Sequence, residues 1–286
     1  MDNASYSRSL LDLPVADILV DHVAPYLTRE DLTTFRTCSR KCKELADQMF
    51  AGIRKLVFSC GNEGPIPLIL QTCRQLRTIE LYHVTWSNDQ VHQLMSNNLL
   101  LDTVNIFKCK QITSRGLVPL IACNKIQHLQ LVHVDIHDEF LIEFANNNKN
   151  LKEANFGECF NFSVEALQHF FHNEPELKHI EIDELRDFDI SPILITISQS
   201  CFNLKYLCVY NSILRDTDVL KNFARPGVVI NIKFYDDDSD DSDNEMANDN
   251  CGITWSYAKT LRKFKIQVED EEYEEERMVN ILRMLW

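Results

Sequence analysis

The sequence predicts an α/β solenoid, with short parallel strands on the concave side and helices on the convex side, preceded by a small unit of three helices. Three observations predict it. An apolar motif recurs seven times, beginning at Ile53, Leu76, Leu101, Ile126, Leu151, Leu177 and Leu204, with spacings of 23, 25, 25, 25, 26 and 27 residues. Each copy carries two apolar residues two apart, which face one side of a strand, then apolar residues three and four apart, which form one stripe on a helix. A strand and a helix of this size cannot enclose a core alone, so the copies must stack.

Residues 1–9, MDNASYSRS, are polar and are expected to lack order. Residues 10–50 read as the helical unit. Pro14 suits the first position of a helix, and Ile18, Leu19 and Val23 make the apolar stripe after it. Thr28 is placed to cap a second helix, with Asp31 as the acid of a capping box. Leu32 and Phe35 follow on one side of it. Arg36 to Leu45 reads as a basic helical continuation with Cys38, Cys42 and Leu45 on a common side.

Residues 51–235 are the repeats. The third copy is the most complete: Leu101-x-x-Val104-x-Ile106-x-x-Cys109, then Ile112, Leu117, Leu120 and Cys123. This is the leucine-rich-repeat pattern, one strand and one helix per unit. The inward pairs read Leu56/Phe58, Ile79/Leu81, Val104/Ile106, Leu129/Leu131, Ala154/Phe156, Ile180/Ile182 and Leu207/Val209, with a last degenerate strand at Ile230/Ile232. The residues between and just after them point into the concavity. Among these, Tyr82, Phe107, Tyr206 and Tyr210 are expected as aromatic anchors for a target protein, with His133 beside them. Glu153, Glu158, Glu181, Asp183 and Glu184 are expected to share one acidic patch, with His179 the one basic-capable group among them. Such a patch favours a basic or mixed recognition segment.

Residues 236–250, DDDSDDSDNEMANDN, read as a disordered acidic linker. It lacks the glycine of a calcium loop, since Asp243 stands there when the loop begins at Asp238. Ser239 and Ser242, set among acids, are expected phosphorylation sites. Residues 251–286 read as a terminal cap, with a strand through Phe264, Ile266 and Val268 and a helix carrying Met278, Ile281, Leu282 and Leu285 on one stripe.

The composition excludes several classes. No apolar run reaches the roughly 18 residues of a membrane span, and the first residues lack the core of a signal peptide, so a cytoplasmic or nuclear location is expected. The formal charge is −14, and residues 236–286 contribute 15 acidic against 6 basic groups. That balance argues against a nucleic-acid partner. The ten cysteines form no C-x-x-C pair, which argues against a zinc or redox motif; Cys73, Cys123 and Cys201, each three residues before the next repeat's first apolar position, are expected as packed free thiols. His83 and His133 occupy equivalent places two repeats apart, roughly 10 Å at strand spacing and too far to share one ion. No nucleophile–base set, phosphate loop or metal motif is present, so no catalytic residue, metal, cofactor or small-molecule substrate is expected.

The helical unit carries a specific resemblance. Leu13-Pro14, Ile18-Leu19, Leu27, Asp31-Leu32, Arg36, Cys38, Ser39-Arg40 and Leu45 match the F-box pattern in order and spacing, although many members carry Trp where this chain has Cys42. An F-box joined directly to leucine-rich repeats resembles the F-box/leucine-rich-repeat family. The resemblance implies a substrate receptor of an SCF-type ubiquitin ligase. The F-box docks a Skp-type adaptor, and through it a cullin, while the repeats hold the target. It places Leu13, Pro14, Ile18, Leu19, Val23, Leu27, Leu32, Phe35, Arg36 and Leu45 at the adaptor. It implies no catalysis by this chain. The competing reading is a leucine-rich-repeat scaffold or inhibitor that acts outside any ubiquitin ligase.

Overall fold

The computed structural model describes residues 15–60, 65–185, 188–223 and 227–233. Leu13, Pro14, Ser239, Ser242, the acidic run and the expected terminal strand and helix lie outside the described residues.

Eight strands form one sheet: β1 (Lys55–Ser59), β2 (Thr78–Tyr82), β3 (Thr103–Phe107), β4 (His128–Val132), β5 (Glu153–Gly157), β6 (His179–Asp183), β7 (Tyr206–Tyr210) and β8 (Val229–Lys233). They are all parallel and stand in sequence order. The register stacks Leu56 on Ile79, Val104, Leu129, Ala154, Ile180, Leu207 and Ile230, the predicted inward residues, without a slip. Every predicted inward pair is buried, the degenerate Ile230/Ile232 pair included.

The helices behind the sheet are α3 (Ile66–Thr72), α4 (Asn88–Ser96), α5 (Ser114–Leu117), α6 (Asp138–Asn147), α7 (Val164–His172) and α8 (Ser191–Ser200). Helix α5 gives way to a 3-10 stretch, Val118–Ala122, at Pro119, whose missing N–H cannot continue an α-helix. A 3-10 stretch, Thr217–Phe223, replaces the helix of the last repeat.

Three devices, two of backbone and one of side chains, recur from repeat to repeat. At the leading edge, where strands begin, the carbonyl just before each of the first six strands accepts two amides of the following repeat, and the Lys205 carbonyl before β7 accepts one, from Val229. The Arg54 carbonyl takes the N–H groups of Arg77 (2.7 Å) and Thr78 (3.0 Å), and the Lys178 carbonyl those of Lys205 (2.8 Å) and Tyr206 (3.0 Å). At the trailing edge, the residue after the strand turns left-handed: His83, Lys108, His133, Glu158, Glu184 and Asn211 have φ between 48° and 54°. That conformation is costly for a residue with a Cβ, but it keeps one more amide on the ladder. His133 N–H donates to the Gly157 carbonyl at 2.7 Å and Glu158 N–H to that of Asp183 at 2.9 Å.

The third device sits inside, where each helix turns back to its strand. Cys73, Cys123 and Cys201 were expected there as packed thiols, and they are buried and free. The same position holds Asn98, Asn148 and Glu174, also buried. The Asn98 carboxamide accepts from Leu76 N–H (2.9 Å) and donates to the carbonyls of Cys73 (3.2 Å) and Leu94 (2.8 Å). Glu174 finds no such partner: no donor meets either of its oxygens in hydrogen-bond geometry. Burial, more than the Lys149 charge and the Leu151 amide offset, pushes its carboxyl up to about 8.

The N-terminal unit differs in detail from its expectation. Val15–Val23 is a π-type helix, followed by a 3-10 turn, Ala24–Tyr26. Helix α1 (Arg29–Cys38) has the capping box read from the sequence, with Thr28 and Asp31 bonded reciprocally. The stretch from Arg36 to Leu45 is not one helix. It breaks at Ser39, which is extended and whose Oγ accepts from Cys42 N–H (3.1 Å) to cap α2 (Arg40–Ala51). A serine able to cap a new helix competes with helix continuation. The break puts Cys38 on the surface and Cys42 inside, so the two do not share a side.

Candidate functional site

Two surfaces carry the residues singled out in the sequence. The first is the N-terminal helical unit. Leu19, Leu32 and Leu45 are 3%, 2% and 6% exposed and join Met49, Phe50, Leu56 and Phe58 in one core. These three are therefore not contact residues as expected. They are the floor beneath any contact surface, because the unit is too small to enclose a core without borrowing the first repeat's. Arg36 is likewise engaged internally, its Nε donating to Asp47 Oδ1 at 2.6 Å. Ile18, Val23, Leu27 and Phe35 are half-buried.

Two residues of this surface were missed. Tyr26 is 86% exposed, the most exposed of the large apolar side chains among the described residues. The signal was its place in an apolar stretch, Val23-Ala24-Pro25-Tyr26-Leu27, just before the Thr28 cap. Arg29 lays its guanidinium 4.2 Å over the Phe58 ring and donates to the Val57 carbonyl, which latches α1 onto β1. Nothing in the local sequence marks that role.

The second surface is the concave face. At its trailing edge, Tyr82 and Phe107 meet at 6.3 Å, with His83 edge-on to Phe107 at 5.5 Å and the Lys108 ammonium 5.4 Å from the Phe107 ring. The Tyr82 hydroxyl donates to Glu80 at 3.3 Å, and Lys55 pairs with the same carboxylate at 3.1 Å. Glu80, expected in the open concavity, is only 3% exposed. Farther along, Tyr206 stands edge-on to His179 at 4.7 Å and is 46% exposed, while Tyr210 is half-buried.

The acidic patch is corrected by the pairing. Glu153 lies between two histidines of the adjacent strands, with His128 Nδ1 at 3.0 Å and His179 Nδ1 at 3.1 Å. The hydrogen bond with Glu153 raises the His128 pKa, and that same bond lowers the carboxyl of Glu153. Glu158 is gripped by Lys108 at 3.2 Å and His133 at 3.0 Å. Burial works against the charge of Glu158, but these two partners more than offset it and its pKa falls. So His179 is not the one basic-capable group near these acids, and five bare carboxylates do not gather there. Glu153 and Glu158 hold the middle of the face together, while Glu181, Asp183 and Glu184 lie on β6 and its turn toward the C-terminal end. The concave face thus grades from aromatic and cationic, over β2 to β4, to acidic and tyrosine-bearing, over β6 and β7.

Among the described residues, no group of three or more His, Cys, Asp or Glu is placed to hold a metal ion, and no helix is long and apolar enough to cross a membrane. No family model and no curated protein matches the sequence. Among solved structures 63 chains match. One is internalin C2 from Listeria monocytogenes, 16% identical with a TM-score of 0.42, covering 73% of this chain and 85% of that one. Another is TLR13 in its complex with ssRNA13, 16% identical with a TM-score of 0.41, covering 65% of this chain and 30% of that one. Likeness at this distance adds nothing to the chain's own geometry. An in-register parallel sheet, backed repeat by repeat by a helix or a 3-10 stretch, is a leucine-rich-repeat solenoid.

Proposed function

We propose that the chain is the substrate-recognition subunit of an SCF-type ubiquitin ligase. In this reading the N-terminal unit docks a Skp-type adaptor, and through it a cullin, and the concave face holds the target protein. The observation that carries it is the F-box pattern from Leu13-Pro14 to Leu45, lying directly ahead of the repeats. Two features support it. The unit sinks Leu19, Leu32 and Leu45 into the first repeat's core yet leaves Tyr26 exposed and Ile18, Val23, Leu27 and Phe35 half-exposed. Arg29 fastens the unit to β1, so an adaptor held by one would be held at a fixed angle to the other. Catalysis in this role is positional, raising the local concentration of target lysines near a charged enzyme.

The test is capture of a purified Skp-type adaptor by the full chain and by the variant pairing Leu13→Ala with Pro14→Ala. Capture by the parent and its loss in the variant, with the melting curve of the repeats unchanged, is the expected result. Equal capture by both, or none by either, removes the F-box assignment.

A further inference from the structure

The leading edge of the solenoid carries charge that the concave face does not explain. The residue before each of the first seven strands is pinned there by its carbonyl, which accepts one or two amides of the next repeat, so its side chain repeats at strand spacing, about 4.8 Å. This row includes Arg54, Arg77, Lys152, Lys178 and Lys205. The neighbouring turns add Arg74, Lys125 and Lys149. In the turns that lead into the strands, the unburied carboxylates are Asp102 and Glu176 alone among the described residues, and Glu153, which opens β5, is held by His128 and His179. None of the eight cations is in an ion pair with another described residue. Where they bond at all, it is to neutral oxygens: Arg74 to the Leu70 and Cys73 carbonyls, Arg77 to that of Leu100, Lys152 to the Gln127 carboxamide, Lys149 to the Ala145 carbonyl and to Asn173. A chain of net charge −14 thus carries eight cations along one edge that no described carboxylate pairs.

We propose that this edge is the docking site of the chain's own acidic run, residues 236–250. Charge complementarity argues for it: the run holds eight carboxylates and no cation. So does reach. Strand β8 ends at Lys233, and the run begins three residues later at Asp236. The leading edge lies one strand length back, about 17 Å, and fifteen extended residues span up to about 50 Å. The run therefore reaches Lys205 and continues past Lys178 and Lys152. Single surface ion pairs are weak, but tethering gives the run an effective concentration in the millimolar range. Phosphates on Ser239 and Ser242 would each add charge to the docked segment and tighten it. The docking does not depend on what the concave face or the helical unit binds.

Zero-length carbodiimide cross-linking of the full chain, read by mass spectrometry, tests the placement. Amide links from Lys152, Lys178 or Lys205 to Asp236–Asp243 are expected. They should be unchanged on dilution and cut at least about fivefold near 0.5 M salt, where screening shortens to a few ångströms. A second chain, with the aspartates of 236–243 changed to Asn, leaves the edge open. It should bind a fluorescent 236–250 peptide at least about tenfold more tightly than the parent does, and the doubly phosphorylated peptide more tightly still. Changing Lys152, Lys178 and Lys205 to Glu in that chain should abolish peptide binding with the melting temperature unchanged. Cross-links that avoid the edge lysines, or that vanish on dilution, overturn the proposal. So does equal peptide binding by the parent and open chains. A single-stranded RNA oligonucleotide bound equally by both chains through the edge lysines would assign the edge to nucleic acid and overturn it as well.

Discussion

Replacing Glu174 with Gln should stabilise the protein at alkaline pH and change little at pH 5. Glu174 is fully buried, its two oxygens make no well-formed hydrogen bond although the Leu151 amide lies near, and its carboxyl is raised from 4.5 to about 8. In the unfolded chain the group ionises near its ordinary value. Below about 4.5 both states hold the proton, and Glu174 contributes no pH dependence. Between about 4.5 and 8 the unfolded chain has released the proton and the folded one keeps it. The folded state then binds more protons, so stability falls as pH rises, by about 1.4 kcal/mol per pH unit. Above about 8 the folded state carries a buried charge and the loss levels off, at the order of 5 kcal/mol. Gln removes the ionisation and offers an amide like that of Asn148, which donates from the equivalent place to the Leu120 and Phe144 carbonyls. Urea unfolding of both proteins at pH 5, 7 and 9 measures the difference. The two curves should nearly coincide at pH 5 and separate progressively to pH 9, with the variant the more stable. Parallel curves across that range would mean that Glu174 ionises normally in the fold, which would refute the assignment of a dry, unpartnered site.

Other consequences can be checked in the same assays. Ile106→Asp places a carboxylate between Leu81 and Leu131 in the stacked register, where an unpaired charge costs several kcal/mol; a wild-type melting curve would contradict that register. Ser39→Ala removes the cap of α2 and should cost about 1 kcal/mol, seen as a lower urea midpoint, while an unchanged midpoint would mean the helix break does not rest on the cap. Glu153→Gln breaks the bond that raises His128 above 6.5 and lowers Glu153 below 4.5. The raised His contributes below its folded pKa and the lowered Glu above its own, so the loss should be largest near pH 5 to 6 and fade above pH 8. Both groups are well exposed, which limits the effect to about 0.5 kcal/mol; an NMR titration in which His128 is unmoved by the substitution would discard the pairing.

Much of the fold was legible because one rule repeats. The interior of a stacked unit must be apolar at two strand positions and one helical stripe, and the spacing of such residues survives small variations in turn length. That is why all the inward pairs from Leu56/Phe58 to Ile230/Ile232 were readable, and why the Thr28–Asp31 box, a contact across three residues, was readable too. Where the rule tolerates exceptions, reading failed. Cys73, Cys123 and Cys201 stood out as packed thiols, but Asn98, Asn148 and Glu174 share their place under a different chemistry. Only the common distance of three residues before each leading leucine would have grouped them.

The candidate surfaces were legible as positions and not as chemistry. Periodicity alone determined which side chains face the concavity and that a helical unit precedes the repeats. It had no means to say which charges meet. Glu153 lies 25 and 26 residues from the histidines that hold it, and Glu158 lies 50 from Lys108. Stacking converts those separations into 3.0 to 3.2 Å. A Coulomb interaction depends on distance in space, so the register had to exist before an acidic cluster became a set of ion pairs. The same holds for the N-terminal leucines: their apolarity was written in the chain, but whether each is floor or surface depends on the first repeat standing beneath them.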